Sequence, residues 1–153
     1  MKFADFICFD AVIPQLEATD RNAAIAELTA SLGKAGCLGK IKCQDITDAI
    51  VKREDEASTG IGKGVAVPHV KYEGIDDVVA VVGLSRDGID FSSLDKQLAY
   101  TIILLVSPAS DPDKHLQAME KIFRNLQKED FRKFLRQATN IDEIKEAIVD
   151  HDV

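Results

Sequence analysis

Val78-Val79-Ala80-Val81-Val82-Gly83-Leu84 and Tyr100-Thr101-Ile102-Ile103-Leu104-Leu105-Val106 are two strongly apolar runs, and neither alternates. A strand with one face in water alternates apolar with polar side chains, whereas a continuous run marks a strand covered on both faces. Helices must therefore flank the sheet that these runs build, and the surrounding sequence supplies them. Downstream, Pro112–Gln127 reads as a helix with Asp111 as its N-cap and Pro112 at the first helical position. Asp130–Ala138 and Asp142–Asp150 follow as two more.

Upstream, an amphipathic helix opens at Thr19 or Asp20, carries Ile25, Leu28, Leu32 and Ala35 inward, and ends near Gly36. A second helix, Gln44 to Glu56, sets Ile46, Ala49 and Ile50 on one face, and the next position on that stripe is Arg53. Between the helices and the apolar runs, Val65-Ala66-Val67-Pro68-His69 reads as a short strand. Pro68 has no N–H for a ladder, which places it at an edge or at the strand's end. Helix, helix, three strands and then helices specify an α/β fold, a mixed sheet between helical layers.

The chain has 153 residues and no repeat or linker, so one domain over residues 1–153 is expected. A hydrophobic content of 46% excludes a disordered chain. The formal charge is −7 and no Lys/Arg block stands out, which argues against nucleic acid as a partner. No run approaches the ~20 apolar residues of a membrane helix. Asp5 and Asp10 interrupt the N-terminal apolar stretch where a signal peptide needs an unbroken one. The expected location is the cytoplasm. There Cys8, Cys37 and Cys43, an odd set without Cys-x-x-Cys spacing, are expected as reduced thiols.

Three histidines can carry chemistry. His151 lies near the C-terminus and reads as solvated. His69 follows Ser58-Thr59-Gly60-Ile61-Gly62-Lys63-Gly64, whose glycines either turn successive N–H groups toward an anion or simply make a turn. His115 lies in the first turn of its helix, at the margin of a stripe formed by Leu116, Met119, Phe123 and Leu126. The positive end of the helix dipole disfavours its protonated form there, leaving a neutral donor for a phosphate or an ordinary surface histidine. Arg53, on an inward stripe, needs an anionic partner, either a carboxylate such as Asp55 or Glu56 or a bound anion. The histidines lack the spacing of zinc ligands, so no metal is expected.

The stretch Ser58 to His69 resembles the signature of the fructose/mannitol/nitrogen-regulatory class of enzyme IIA proteins of bacterial phosphotransferase systems. In that class the phosphorylatable histidine follows a Gly-x-Gly-(hydrophobic)-Ala-(hydrophobic)-Pro run, here Gly62 to Pro68. Arg53 upstream and His115-Leu116 downstream also fall where the family has its other active-site residues. The resemblance implies a mannitol-type enzyme IIA fold of about five strands and a phosphotransferase component. His69 would be the phosphorylated nucleophile, His115 a hydrogen-bond donor to the phosphoryl group and Arg53 its charge partner. Ser58, Thr59, Gly60, Gly62 and Gly64 would form a phosphate loop, and no cofactor is implied.

The implied donor is the histidine-containing phosphocarrier protein. The implied recipient is an enzyme IIB cysteine, or a transporter or sensor regulated by the phosphorylation state. Gly60-Ile61 is nearer the nitrogen-regulatory and fructose types, and a stand-alone regulatory protein of nitrogen type is the expectation. A sugar-specific enzyme IIA and a partner-binding module without phosphotransfer are the alternatives. Two departures are Val70, where the family has a small residue that leaves the imidazole accessible, and Lys63, where asparagine is common.

Overall fold

The computed structural model describes residues 1–152. In chain order it contains α1 (Phe3–Phe6), α2 (Arg21–Lys34), α3 (Cys43–Glu56), β1 (Gly60–Gly62), β2 (Val65–Ala66), β3 (His69–Tyr72), β4 (Val79–Ile89) and β5 (Ala99–Pro108). Three helices follow, α4 (Pro112–Leu126), α5 (Glu129–Gln137) and α6 (Ile141–His151). The helix limits lie within a few residues of those expected, because the caps are made as the side chains suggest. Asp20 accepts from the Ala23 N–H at 2.8 Å and Asp111 from the Lys114 N–H at 3.3 Å.

The two apolar runs become β4 and β5, paired antiparallel, with Ala80 opposite Leu105 and Val82 opposite Ile103. On its other edge β5 pairs in parallel with β2 and then β3, Ala66 opposite Ile102 and His69 opposite Leu105. The register advances by the same step on both sides, so β2 and β3 are one strand interrupted at Val67-Pro68. The interruption follows from Pro68, which has no N–H to give. The Val67 N–H turns outward to the Thr59 carbonyl at 3.0 Å, while the Pro68 carbonyl still accepts from Leu105 at 3.0 Å. His69 therefore opens β3 and does not close a strand running from Val65, which corrects the expectation from sequence. β1 lies antiparallel beside β2, completing a mixed sheet of five strands.

The outer edge of β4 is covered by the N-terminal segment, to which the apolar periodicity assigned no element. Ile7 and Ile13 bridge Ala80 and Gly83, and the Cys8 N–H donates to the Ala80 carbonyl at 2.8 Å. Covering removes an open edge that would otherwise template association. Gly83 permits the approach, since a Cβ there would stand 2.9 Å from Leu28 and 3.0 Å from Leu16.

Helices cover both faces. α2 and α3 pack together and on β4 and β3, while α4 and α5 pack on β5 and α6 on α5. Leu28, Leu32, Ile46 and Ile50 from the first pair, and Ile122, Phe131, Leu135 and Ile148 from the second group, are fully buried. Each such side chain contributes about 1.5–3 kcal/mol through burial.

The phase of α4 differs from the expected stripe. His115, Ala118, Ile122, Asn125 and Leu126 face inward, and Leu116 is 65% exposed. Turning polar residues inward is tolerable because they have partners: Ser107 for His115 and Asp152 for Asn125. The cysteines also depart from expectation, because Cys8 and Cys37 form a disulfide and Cys43 alone is free. An odd set without a spacing motif still allows one pair when folding brings two together.

Candidate functional site

The break before β3 fixes the His69 imidazole. Its Nδ1 lies 2.7 Å from the carbonyl oxygen of Val67, two residues back. A carbonyl only accepts, so the ring proton sits on Nδ1 and Nε2 keeps its lone pair. His69 pairs with Leu105, and Ser107 lies two residues further along β5, on the same face as Leu105. Ser107 is fully buried, and its Oγ is 2.7 Å from Nδ1 of His115 in the first turn of α4. The two imidazoles stand 5.5 Å apart between centroids, tilted by 44°.

Burial pushes the His69 imidazolium below its ordinary value, and the nearby Arg53 and Lys71 push the same way. The Val67 hydrogen bond and Glu54 oppose this. Burial, with the charges of His69 and Lys71, lowers His115 further, to about 4. Both rings are neutral near pH 7.

Arg53 occupies the last turn of α3, half-exposed, with Nη1 donating to the Ala57 carbonyl at 3.2 Å. Asp55 is turned away to pair with Arg21, and among the described residues no carboxylate pairs with Arg53. The expected Asp55 or Glu56 partner is therefore absent. The buried charge of α3 is Glu54, whose carboxylate accepts from the Thr59 N–H at 2.7 Å and from the Thr59 hydroxyl.

The glycine-rich segment is tied down internally. Ser58 Oγ donates to the Phe91 carbonyl and accepts from the Gly60 N–H at 3.0 Å. The Lys63 N–H donates to Asp95 at 2.8 Å. With the Thr59 N–H on Glu54, three N–H groups that a phosphate cradle would use already have acceptors in the protein. Gly62 (φ 88°) and Gly64 (φ 79°) make the turn between β1 and β2. Gly60 lets the Ser93 loop approach, since a Cβ there would lie 3.1 Å from the Ser93 backbone.

Val70 points to the face opposite His69 and packs against the core, so it does not narrow access to the imidazole. His151 is not free in solvent, because its ring stacks on Phe134 and its Nδ1 reaches the Ala147 carbonyl at 3.1 Å. Five surface cavities, of about 260 to 610 Å³, are lined by other residues than His69, His115 and Arg53. Of the two imidazoles, His69 is half-buried and His115 buried. Among the described residues no three His, Cys, Asp or Glu side chains gather as metal ligands would.

Residues 6–151 match the family described as phosphoenolpyruvate-dependent sugar phosphotransferase system, EIIA 2. The chain belongs to this enzyme IIA family. It is 32% identical over 152 residues to the fructose-specific EIIABC component of the phosphotransferase system of Bacillus subtilis, with 99% of this chain covered. It spans only 24% of that relative's length. It is 30% identical over 136 residues to a nitrogen regulatory protein of Bradyrhizobium diazoefficiens, covering 89% of this chain and 87% of that one. The fold matches nitrogen regulatory protein IIA-Ntr from Neisseria meningitidis with a TM-score of 0.85 at 19% identity, covering 95% and 97% of the two chains.

As an enzyme IIA the chain is a phosphotransferase component, and among its described residues no helix is long and apolar enough to cross a membrane. Two residues beside His69, His115 and Arg53 escaped the sequence argument. Ser107 ends an apolar run and carries no motif. Glu54 was findable, because Ile46, Ile50 and Glu54 also follow one helical stripe at steps of four.

Proposed function

We propose that this enzyme IIA chain accepts a phosphoryl group on Nε2 of His69 from the histidine-containing phosphocarrier protein. One observation carries the reading: Nδ1 of His69 is bound by the Val67 carbonyl, so the other nitrogen is left unprotonated beside a second neutral imidazole. In the transfer the donor's P–N bond breaks as the Nε2–P bond forms. The donor ring, protonated at its other nitrogen, leaves as a neutral imidazole, while His69 keeps its Nδ1–H on the Val67 carbonyl and takes up the positive charge, so no proton need move in the step. Transfer between two imidazoles is nearly isoenergetic, so the protein's work is alignment and neutralisation of the equatorial oxygens. Arg53 brings a guanidinium without a carboxylate partner, and His115 brings a neutral ring that can donate.

Residues 1–153 act as one domain in this reading, in the cytoplasm. The phosphoryl group serves regulation, the phosphorylation state setting how the protein binds a transporter or sensor, as Gly60-Ile61 suggests. A second destination, an enzyme IIB cysteine during sugar uptake, is favoured by the alignment with the Bacillus fructose component along 99% of this chain.

Incubation with phosphoenolpyruvate, enzyme I and phosphocarrier is expected to add one acid-labile group of about 80 Da. The His69→Ala variant is expected to gain none. An unchanged wild-type mass would sink the carrier reading, and a labelled variant would sink the site. Phosphocysteine on an added enzyme IIB marks transport, and its absence marks regulation.

A further inference from the structure

His69 and His115 both turn Nδ1 inward, but toward different chemistry. Val67 offers a carbonyl, which only accepts, while Ser107 offers a hydroxyl, which accepts or donates. A neutral imidazole has one N–H, so the direction of the bond to Ser107 decides which nitrogen of His115 carries the proton.

Burial settles the direction. Ser107 is 0% exposed, and Nδ1 of His115 is the one hydrogen-bond partner its hydroxyl has among the described residues. Were His115 the donor, the buried hydroxyl hydrogen would face no acceptor, at a cost of about 1–3 kcal/mol. With Ser107 as donor, both groups are satisfied. We propose that the Ser107 hydroxyl is a positioning group that donates to Nδ1 of His115 and so fixes the His115 proton on Nε2, as a donor toward the group held at His69.

The two rings then differ in a useful way. His69 presents a lone pair to phosphorus and His115 presents an N–H to a phosphoryl oxygen, from centroids 5.5 Å apart. In the other tautomer a ring lone pair would face that oxygen, and both would repel. The consequence for transfer rests on the carrier reading, whereas the tautomer itself does not.

The test uses the full, unphosphorylated chain labelled with 15N in histidine, and reads tautomers from long-range 1H–15N spectra. The expected wild-type result is protonation of His115 at Nε2 and of His69 at Nδ1. Ser107→Ala is expected to mix the His115 tautomers while leaving His69 unchanged, and Ser107→Thr, which keeps the hydroxyl, to restore the wild-type pattern. Transfer from the phosphocarrier to His69 should slow about tenfold in the alanine variant and recover in the threonine variant.

A His115 proton on Nδ1 in the wild type overturns the proposal, as does an unaltered tautomer in Ser107→Ala. The wild-type measurement needs no substitution, so the proposal can fail even where a variant does not fold. A protein that takes no phosphoryl group counts against the carrier reading alone and leaves the tautomers to decide this one.

Discussion

Arg53 shows how much of a site can be argued from one side chain. A guanidinium has five N–H donors, and the structure engages one of them at the Ala57 carbonyl, 3.2 Å away. The remaining fork suits the planar set of oxygens on a phosphoryl group in flight, and Lys71 nearby adds only a point charge. Replacing Arg53 by glutamine is expected to slow phosphorylation of His69 roughly a hundredfold, the usual scale for losing one preorganised electrostatic partner. Arg53→Lys should fall between, keeping the charge but not the fork. Rapid-quench measurement of phosphoryl transfer checks both, and a glutamine variant as fast as the wild type would remove Arg53 from the mechanism. Arg53 stood out in the sequence as a guanidinium on an inward stripe, and His69 through the likeness of Ser58 to His69 to the enzyme IIA signature. Ser107 did not, because a serine after an apolar run has no signature until a histidine from another element is placed over it.

Among the elements, those fixed by local chemistry were readable and those fixed by tertiary contact were not. Asp20 and Asp111 cap helices by their own side chains, so α2 and α4 begin where the residues say. The phase of α4 depends on Ser107 at the end of β5 and on Asp152 beyond α6, contacts set by the fold and not by the helix's own periodicity, and so the apolar stripe misplaced Leu116. The strip along β4 was equally hidden, because its hydrogen bonds go to another strand and leave no periodicity. The turn between β1 and β2 offers a test. Lys63 has φ 58°, in the left-handed region where a lysine side chain crowds the backbone and asparagine is better tolerated. Its N–H to Asp95, being backbone, survives substitution. Lys63→Asn should therefore stabilise the protein by about 0.5–1 kcal/mol in urea denaturation. A loss of stability would mean that the lysine side chain makes a contact outweighing its backbone strain.

For the whole molecule, the same burial that keeps the imidazoles neutral ties folding to pH. An unfolded chain takes up a proton at each histidine as pH falls below 6.5, but His115 in the fold resists until about 4, and His69 is shifted the same way. The unfolded state then binds more protons, so stability present above pH 6.5 is lost progressively between there and about pH 4. The carboxylates act in a different window. Asp77, held low by Lys114, Asp95 by the backbone N–H groups of Lys63 and Gln97, and Glu143 by Thr139 all start from values near 4 and weaken the fold only below that. A decline between pH 7 and pH 5 thus belongs to the histidines, and for His115 it should amount to about 1–2 kcal/mol. Urea denaturation of the wild type and of His115→Gln at both pH values separates the contributions. The variant cannot take up a proton at that position, so most of its pH dependence should vanish while its stability at pH 7 drops modestly. Equal declines in the two proteins would mean that the imidazole of His115 titrates in the fold as it does in the unfolded chain. The neutral donor assigned to it would then be lost at mildly acid pH.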